Sequence, residues 1–190
     1  MIMKKIITLM GLAAFAFVGQ AVAAEKGFKS IFDGKTLEGW NGDPKFWSVQ
    51  DGAITGKTTK ENPTKGNTFI LWDGGKTGDF DLRLDYKIVG GNSGIQYRSF
   101  KLKNGADQWR VGGYQADIDS GPTYSGICYG EAFRGVLSLR GKKTILTVGD
   151  DGKLKKSAEE FSKDADVAKA IKNEQWNSYR IVARGFNLTQ

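Results

Sequence analysis

Residues 80–88 constrain the fold most. Phe80, Leu82, Leu84, Tyr86 and Ile88 alternate with Asp81, Arg83, Asp85 and Lys87. Side chains on a strand point to opposite sides with period two, so this segment is apolar on one face and wet on the other. That pattern belongs to an antiparallel sheet packed on one side only. Other short alternating runs follow the same rule. Residues 28–32, 46–49, 53–55, 68–72, 127–129, 136–139, 144–148 and 175–183 are predicted as strands, with residues 164–172 as the one helix. Asp51-Gly52 is a strong hairpin signal between two of these runs, and Gly149-Asp150-Asp151-Gly152 is a turn. The Lys-rich stretch at 153–156 reads as a solvated turn. Many short strands with glycine-rich turns predict an all-β protein, a jelly-roll sandwich of two antiparallel sheets with one short helix.

Two strands depart from an ordinary wet face. In Asn92-Ser93-Gly94-Ile95-Gln96-Tyr97-Arg98, Ile95 and Tyr97 share one side while Gln96 and Arg98 share the other. In Gly113-Tyr114-Gln115-Ala116-Asp117-Ile118-Asp119, Gln115, Asp117 and Asp119 face away from Tyr114, Ala116 and Ile118. Amides, acids and an arginine are the groups that hold a polar ligand such as a sugar.

The start of the chain reads as a secretory signal peptide over residues 1–23. Lys4 and Lys5 precede an apolar run, and Ala21-Val22-Ala23 offers a small-x-small cleavage site. The run is shorter than the roughly 20 residues a spanning helix needs. No cysteine sits beside the cleavage site to carry a lipid, so no membrane anchor is expected after cleavage. The expected location is the periplasm or the outside of the cell. Losing Lys4 and Lys5 leaves 26 Lys and Arg against 21 Asp and Glu, a net of +5 in place of +7. The basic residues are dispersed among acids, not clustered into a stripe, so nucleic acid is not an expected partner. Residues 24–190 form one domain. Cys128 is the only cysteine, and there is no histidine. An intrachain disulfide and any Cys–His or Ser–His mechanism are therefore excluded.

Ser30-Ile31-Phe32-Asp33-Gly34-Lys35-Thr36-Leu37-Glu38-Gly39-Trp40 resembles the opening motif of the 3-keto-disaccharide hydrolase-like domains, a family first described as a domain of unknown function. Trp47-Ser48-Val49-Gln50-Asp51-Gly52, the two polar-faced strands and Tyr129-Gly130-Glu131 resemble its later blocks. The resemblance implies a concanavalin-like sandwich, export, and action on oxidised glycosides. It also implies C-terminal truncation, because family members continue beyond the point reached at Asn187-Leu188-Thr189-Gln190, where a strand or hairpin begins.

The chemistry of such a substrate sets the requirements. A ketone at C3 acidifies the C2 proton, and its removal gives an enolate that expels the glycosidic oxygen from C1. Water adding to the enone completes a net hydrolysis. A base, an enolate stabiliser and a proton for the leaving oxygen are needed. Without histidine, the candidate catalytic residues are Asp117, Glu131 and Asp119, with Asp117 or Glu131 as base and Asp119 in support. Gln96, Arg98, Gln115 and Arg134 are candidate substrate-binding residues, with Trp109 and Tyr124 as stacking aromatics. Asp117, Asp119 and Glu131 are also oxygen donors suited to a divalent cation, Ca²⁺, Mg²⁺ or Mn²⁺. No organic cofactor is expected. Each residue also has a plainer role open to it. Asp119 could only shape the Ser120-Gly121-Pro122 turn, Arg98 could neutralise Asp117, and Glu131 with Arg134 could form a surface ion pair. The expected function is cleavage of a 3-keto-glycoside; the alternative is a non-catalytic carbohydrate-binding sandwich.

Overall fold

The computed structural model describes residues 26–102 and 108–190. The leader at 1–23 lies outside the described residues. Among the described residues the fold is all-β, with one short helix.

Two sheets make the sandwich. The first runs β6 (Asn92–Lys101), β7 (Val111–Asp119), β8 (Cys128–Glu131) and β9 (Gly135–Ser138), in that order and antiparallel throughout. The second is β13 (Asn187–Thr189), β12 (Asn177–Arg184) and β5 (Phe80–Tyr86). The alternation of residues 80–88 decides how they meet. Phe80 and Leu82 of β5, with Tyr179, Ile181 and Leu188 of its neighbours, pack on Ile95, Tyr97, Tyr114 and Ala116 of the first sheet. Ile181 and Ala116 are fully buried at the centre. Tyr97 anchors the layer with edge-to-face contact to Phe80 and a stack on Tyr114, ring centroids 5.9 Å away in both cases. Its hydroxyl donates to Gln190 Oε1 and lies 3.9 Å from Cys128 Sγ. Burial pushes the Cys128 thiol up, which suits an inert core residue and not a nucleophile.

Three ribbons flank the sandwich: β1 (Trp40–Gly42) with β4 (Ile70–Trp72), β2 (Trp47–Gln50) with β3 (Ala53–Gly56), and β10 (Lys142–Val148) with β11 (Leu154–Glu160). The β2–β3 turn takes positive φ at both Asp51 (50°) and Gly52 (76°), the geometry its Asp-Gly dipeptide favours. The helix α1 (Asp164–Ala170) has Asp164 and Asp166 in its first turn and stops where Ile171 turns extended.

Three local expectations fail. Residues 28–32 are not a strand. The Ile31 carbonyl accepts from Trp40 Nε1 at 2.8 Å, and Phe28 lies under the Arg83 guanidinium, so the segment is tied down by side chains. Strand β4 starts only at Ile70, because the Phe69 amide donates to the Trp109 carbonyl instead. Leu154–Lys156 is not a turn but the start of β11; the turn is closed just before it, by Gly149 N to Lys153 O at 2.8 Å.

Candidate active site

The outer face of the β6–β9 sheet carries the candidate residues. Register fixes who stands beside whom. Gln96 pairs with Gln115, Gly94 with Asp117 and Asn92 with Asp119 across β6 and β7. Gln115 pairs with Tyr129 and Gly113 with Glu131 across β7 and β8. Directly paired residues share a face, so Gln96, Gln115, Asp117, Asp119 and Glu131 form one polar patch.

The patch is withdrawn from water at its centre. Asp117 is 6% exposed, Glu131 7% and Gln115 8%. Burial disfavours the ionised carboxylate, and the neighbouring charges of Asp119 and Glu131 add to it. Together they push Asp117 up to about 6, while the hydrogen bond from the Gln115 amide works the other way. That bond runs from Gln115 Nε2 to Asp117 Oδ1. Gln96 Nε2 donates to the Val111 carbonyl at 3.0 Å. Its Oε1 is buried with no partner among the described residues.

Asp119 is committed elsewhere. Its Oδ2 accepts from the Tyr124 amide at 3.2 Å, closing the loop after β7, and its main chain exchanges hydrogen bonds with the Ser125 hydroxyl at 2.8 and 3.0 Å. The turn-shaping role is thus the one its contacts show. Tyr124 itself is 49% exposed at the rim of the patch.

Both arginines lie off the patch. Arg98 was expected beside Gln96, but a bulge between Tyr97 and Phe100 breaks the alternation, and Arg98 takes φ 49°. Its guanidinium reaches the Gly185 carbonyl and Asp79, where it helps hold the β12–β13 turn, and does not pair with Asp117. Arg134 is exposed and lies over the Phe133 ring at 5.7 Å. Trp109 stands just before β7, its indole N–H donating to Asn41 Oδ1 at 2.8 Å.

Among the described residues no three His, Cys, Asp or Glu side chains are grouped to hold a metal ion.

One residue escaped the sequence reading. Arg140, 6% exposed, donates to the carbonyls of Ser125 at 2.9 Å and Pro122 at 3.1 Å and to Asp164 at 2.8 Å. It ties the Asp119–Ser125 loop to the start of α1. A lone arginine before a glycine gives no sequence signal of this.

A shallow depression of about 290 Å³ lies elsewhere, on the β2–β3 hairpin, lined by Phe46, Trp47 and Lys57 among others.

Compared with known proteins, the chain is 39% identical over 83 residues to the 3-keto-disaccharide hydrolase of Bacteroides thetaiotaomicron. That match covers 37% of this chain and 27% of the relative, so the chain spans little more than a quarter of the curated relative's length. No solved structure matches the chain. The model of the 3-keto-alpha-glucoside-1,2-lyase-like domain matches residues 27–190. With nearly the whole described chain matched, and with an all-β sandwich as its fold, this protein belongs to the 3-keto-alpha-glucoside-1,2-lyase-like domain family.

Proposed function

We propose that this domain cleaves 3-keto-glycosides by abstracting the C2 proton, eliminating the glycosidic oxygen from C1 and hydrating the enone. One observation carries the reading. A buried carboxyl, Asp117, shares a polar face with a second buried acid, Glu131, and neither is paired with a cation among the described residues. Such an arrangement opposes ionisation and costs stability, and it is the kind that tunes a carboxyl to work near neutral pH.

Asp117 is the base. When ionised it is desolvated and more basic than a surface carboxylate, and it takes the C2 proton. The electron pair of that C–H bond is first held in the enolate of the C3 ketone; as the enolate reverts to the ketone, the pair forms the C1–C2 double bond and the C1–O bond breaks. Glu131, one strand away on the same face, manages the proton at the departing oxygen. Gln96 stands beside Gln115 on the same polar face, and the exposed ring of Tyr124 offers a stacking surface at the rim. No step is routed through a cation. The leader at 1–23 directs the domain to the periplasm or beyond, where such glycosides would be met.

The test is turnover of a 3-keto-glucoside by the full chain and by Asp117→Asn and Glu131→Gln. Loss of turnover in both variants, with the fold intact by circular dichroism, supports the assignment. Unchanged rates in both would end it. A parallel arm with the ordinary, non-oxidised disaccharide should show no cleavage.

A further inference from the structure

Gln96 and Gln115 stand directly opposite each other, yet their side chains part. Gln96 leans toward Gly113, whose Cβ position would be 3.2 Å from Gln96 Cγ. Gln115 leans the other way, across Gly94. A Cβ built on Gly94 would meet Gln115 Cγ at 2.6 Å and its Cδ and Nε2 at 2.8 Å. Separations this short are not tolerated, so any side chain at 94 must expel the Gln115 amide. Gly94 is also the cross-strand partner of Asp117. The missing side chain therefore leaves the space in which the Gln115 amide lies as its Nε2 reaches Asp117 Oδ1.

We propose that Gln115 is a positioning residue for the carboxyl of Asp117, not a substrate ligand, and that Gly94 is the seat that holds it there. The reading of Asp117 as base is the frame for this. Gln115 donates to the carboxyl, so it orients one oxygen and favours the ionised form, leaving the other oxygen for the substrate. The opposing influences on Asp117 are its burial first, then the charges of Asp119 on its own strand and Glu131 on β8; Cys128 of β8 and Tyr179 of β12 also lie within its electrostatic reach. Strand β6 contributes no titratable group opposite Asp117, only Gly94. The sequence Asn92-Ser93-Gly94 is thus a steric requirement of the site and not a flexible spot.

The experiment is a carboxyl-carbon NMR titration of Asp117 in the full chain, for wild type, Gln115→Leu, Gly94→Ala and the double variant Gly94→Ala/Gln115→Ala. Loss of the donor should raise the Asp117 midpoint by about half a pH unit or more in both single variants. In the double variant the midpoint should match Gln115→Leu, because Gly94 acts only through Gln115. If Gly94→Ala fails to fold, truncating Gln115 in the double variant should restore folding by removing the clash, and failure to do so overturns the steric claim. A Gln115→Leu midpoint equal to wild type, accompanied by a raised KM on 3-keto-glucoside at every pH, would make Gln115 a substrate ligand and overturn the proposal. A shift in Gln115→Leu without one in a folded Gly94→Ala would overturn it as well. The titration needs no turnover, so an inactive wild type would defeat the function above and leave this result standing.

Discussion

Two charged surfaces of the molecule look alike in composition and differ in physics. On the β10–β11 ribbon, Lys142 meets Glu160 at 2.9 Å and Lys143 meets Glu159 at 2.7 Å, with three of the four side chains more than half exposed. On the outer face of β7 and β8, Asp117 and Glu131 are nearly fully buried and the cations expected near them point elsewhere. The first surface is neutralised and solvated, and each pair contributes little. The second keeps acids out of water without cationic partners among the described residues, which opposes folding at neutral pH. Charge that helps neither solubility nor stability marks a place selected for chemistry.

The largest effect that would break this contrast is catalytic. Asp117→Asn should lower turnover of a 3-keto-glucoside by about 10²–10⁴-fold, the range of a lost general base. The same variant should raise the melting temperature at pH 7.5, since it removes a buried ionised group. A drop in melting temperature would place Asp117 with the structural carboxylates. Next in size is Arg140→Ala, which leaves the buried carbonyl of Ser125 without its donor and frees the loop at Pro122. A loss of about 2–3 kcal/mol in denaturant unfolding is expected. The pH dependence sharpens the comparison further. The folded-state value of Asp117, about 6, lies above its unfolded value near 4. Its contribution to stability is therefore fully present below pH 4 and is lost as the pH rises through 6, by about 2–3 kcal/mol. Unfolding free energy measured between pH 4 and 7.5 should carry this decline in wild type and lack it in Asp117→Asn. Turnover should rise over the same interval as the base ionises. The smallest effect is on the exposed ribbon. Lys143→Ala should change stability by less than about 0.5 kcal/mol and leave turnover unaltered.

What the sequence revealed follows from what side-chain periodicity can encode. The alternation in residues 80–88 predicted an element packed on one side, and β5 packs so. The same rule put Gln115, Asp117 and Asp119 on one face, and the β7–β8 register adds Glu131 to it through its pairing with Gly113. Periodicity failed at Arg98 because a bulge resets the phase, and neither residue type nor spacing announces a bulge between Tyr97 and Phe100. It failed at β11 because Leu154–Glu160 is exposed along its whole length, so no buried face imprints a pattern. The pairing of Lys142-Lys143 with Glu159-Glu160 was the available signal there, a charge complement across a turn. Short β1 was missed because Trp40–Gly42 is too brief to alternate. Arg140 is a different case. Its role depends on contacts with loop backbone, which leave no trace in the order of residues.

Proton exchange at C2 tests the central claim most directly. A 3-keto sugar with no leaving group at C1, incubated with the protein in D₂O, can enolise but cannot eliminate. Wild type should replace the C2 hydrogen with deuterium, followed by NMR, far faster than Asp117→Asn does. Equal exchange rates in the two proteins, or none above the buffer rate in wild type, would contradict the assignment of Asp117 as the base.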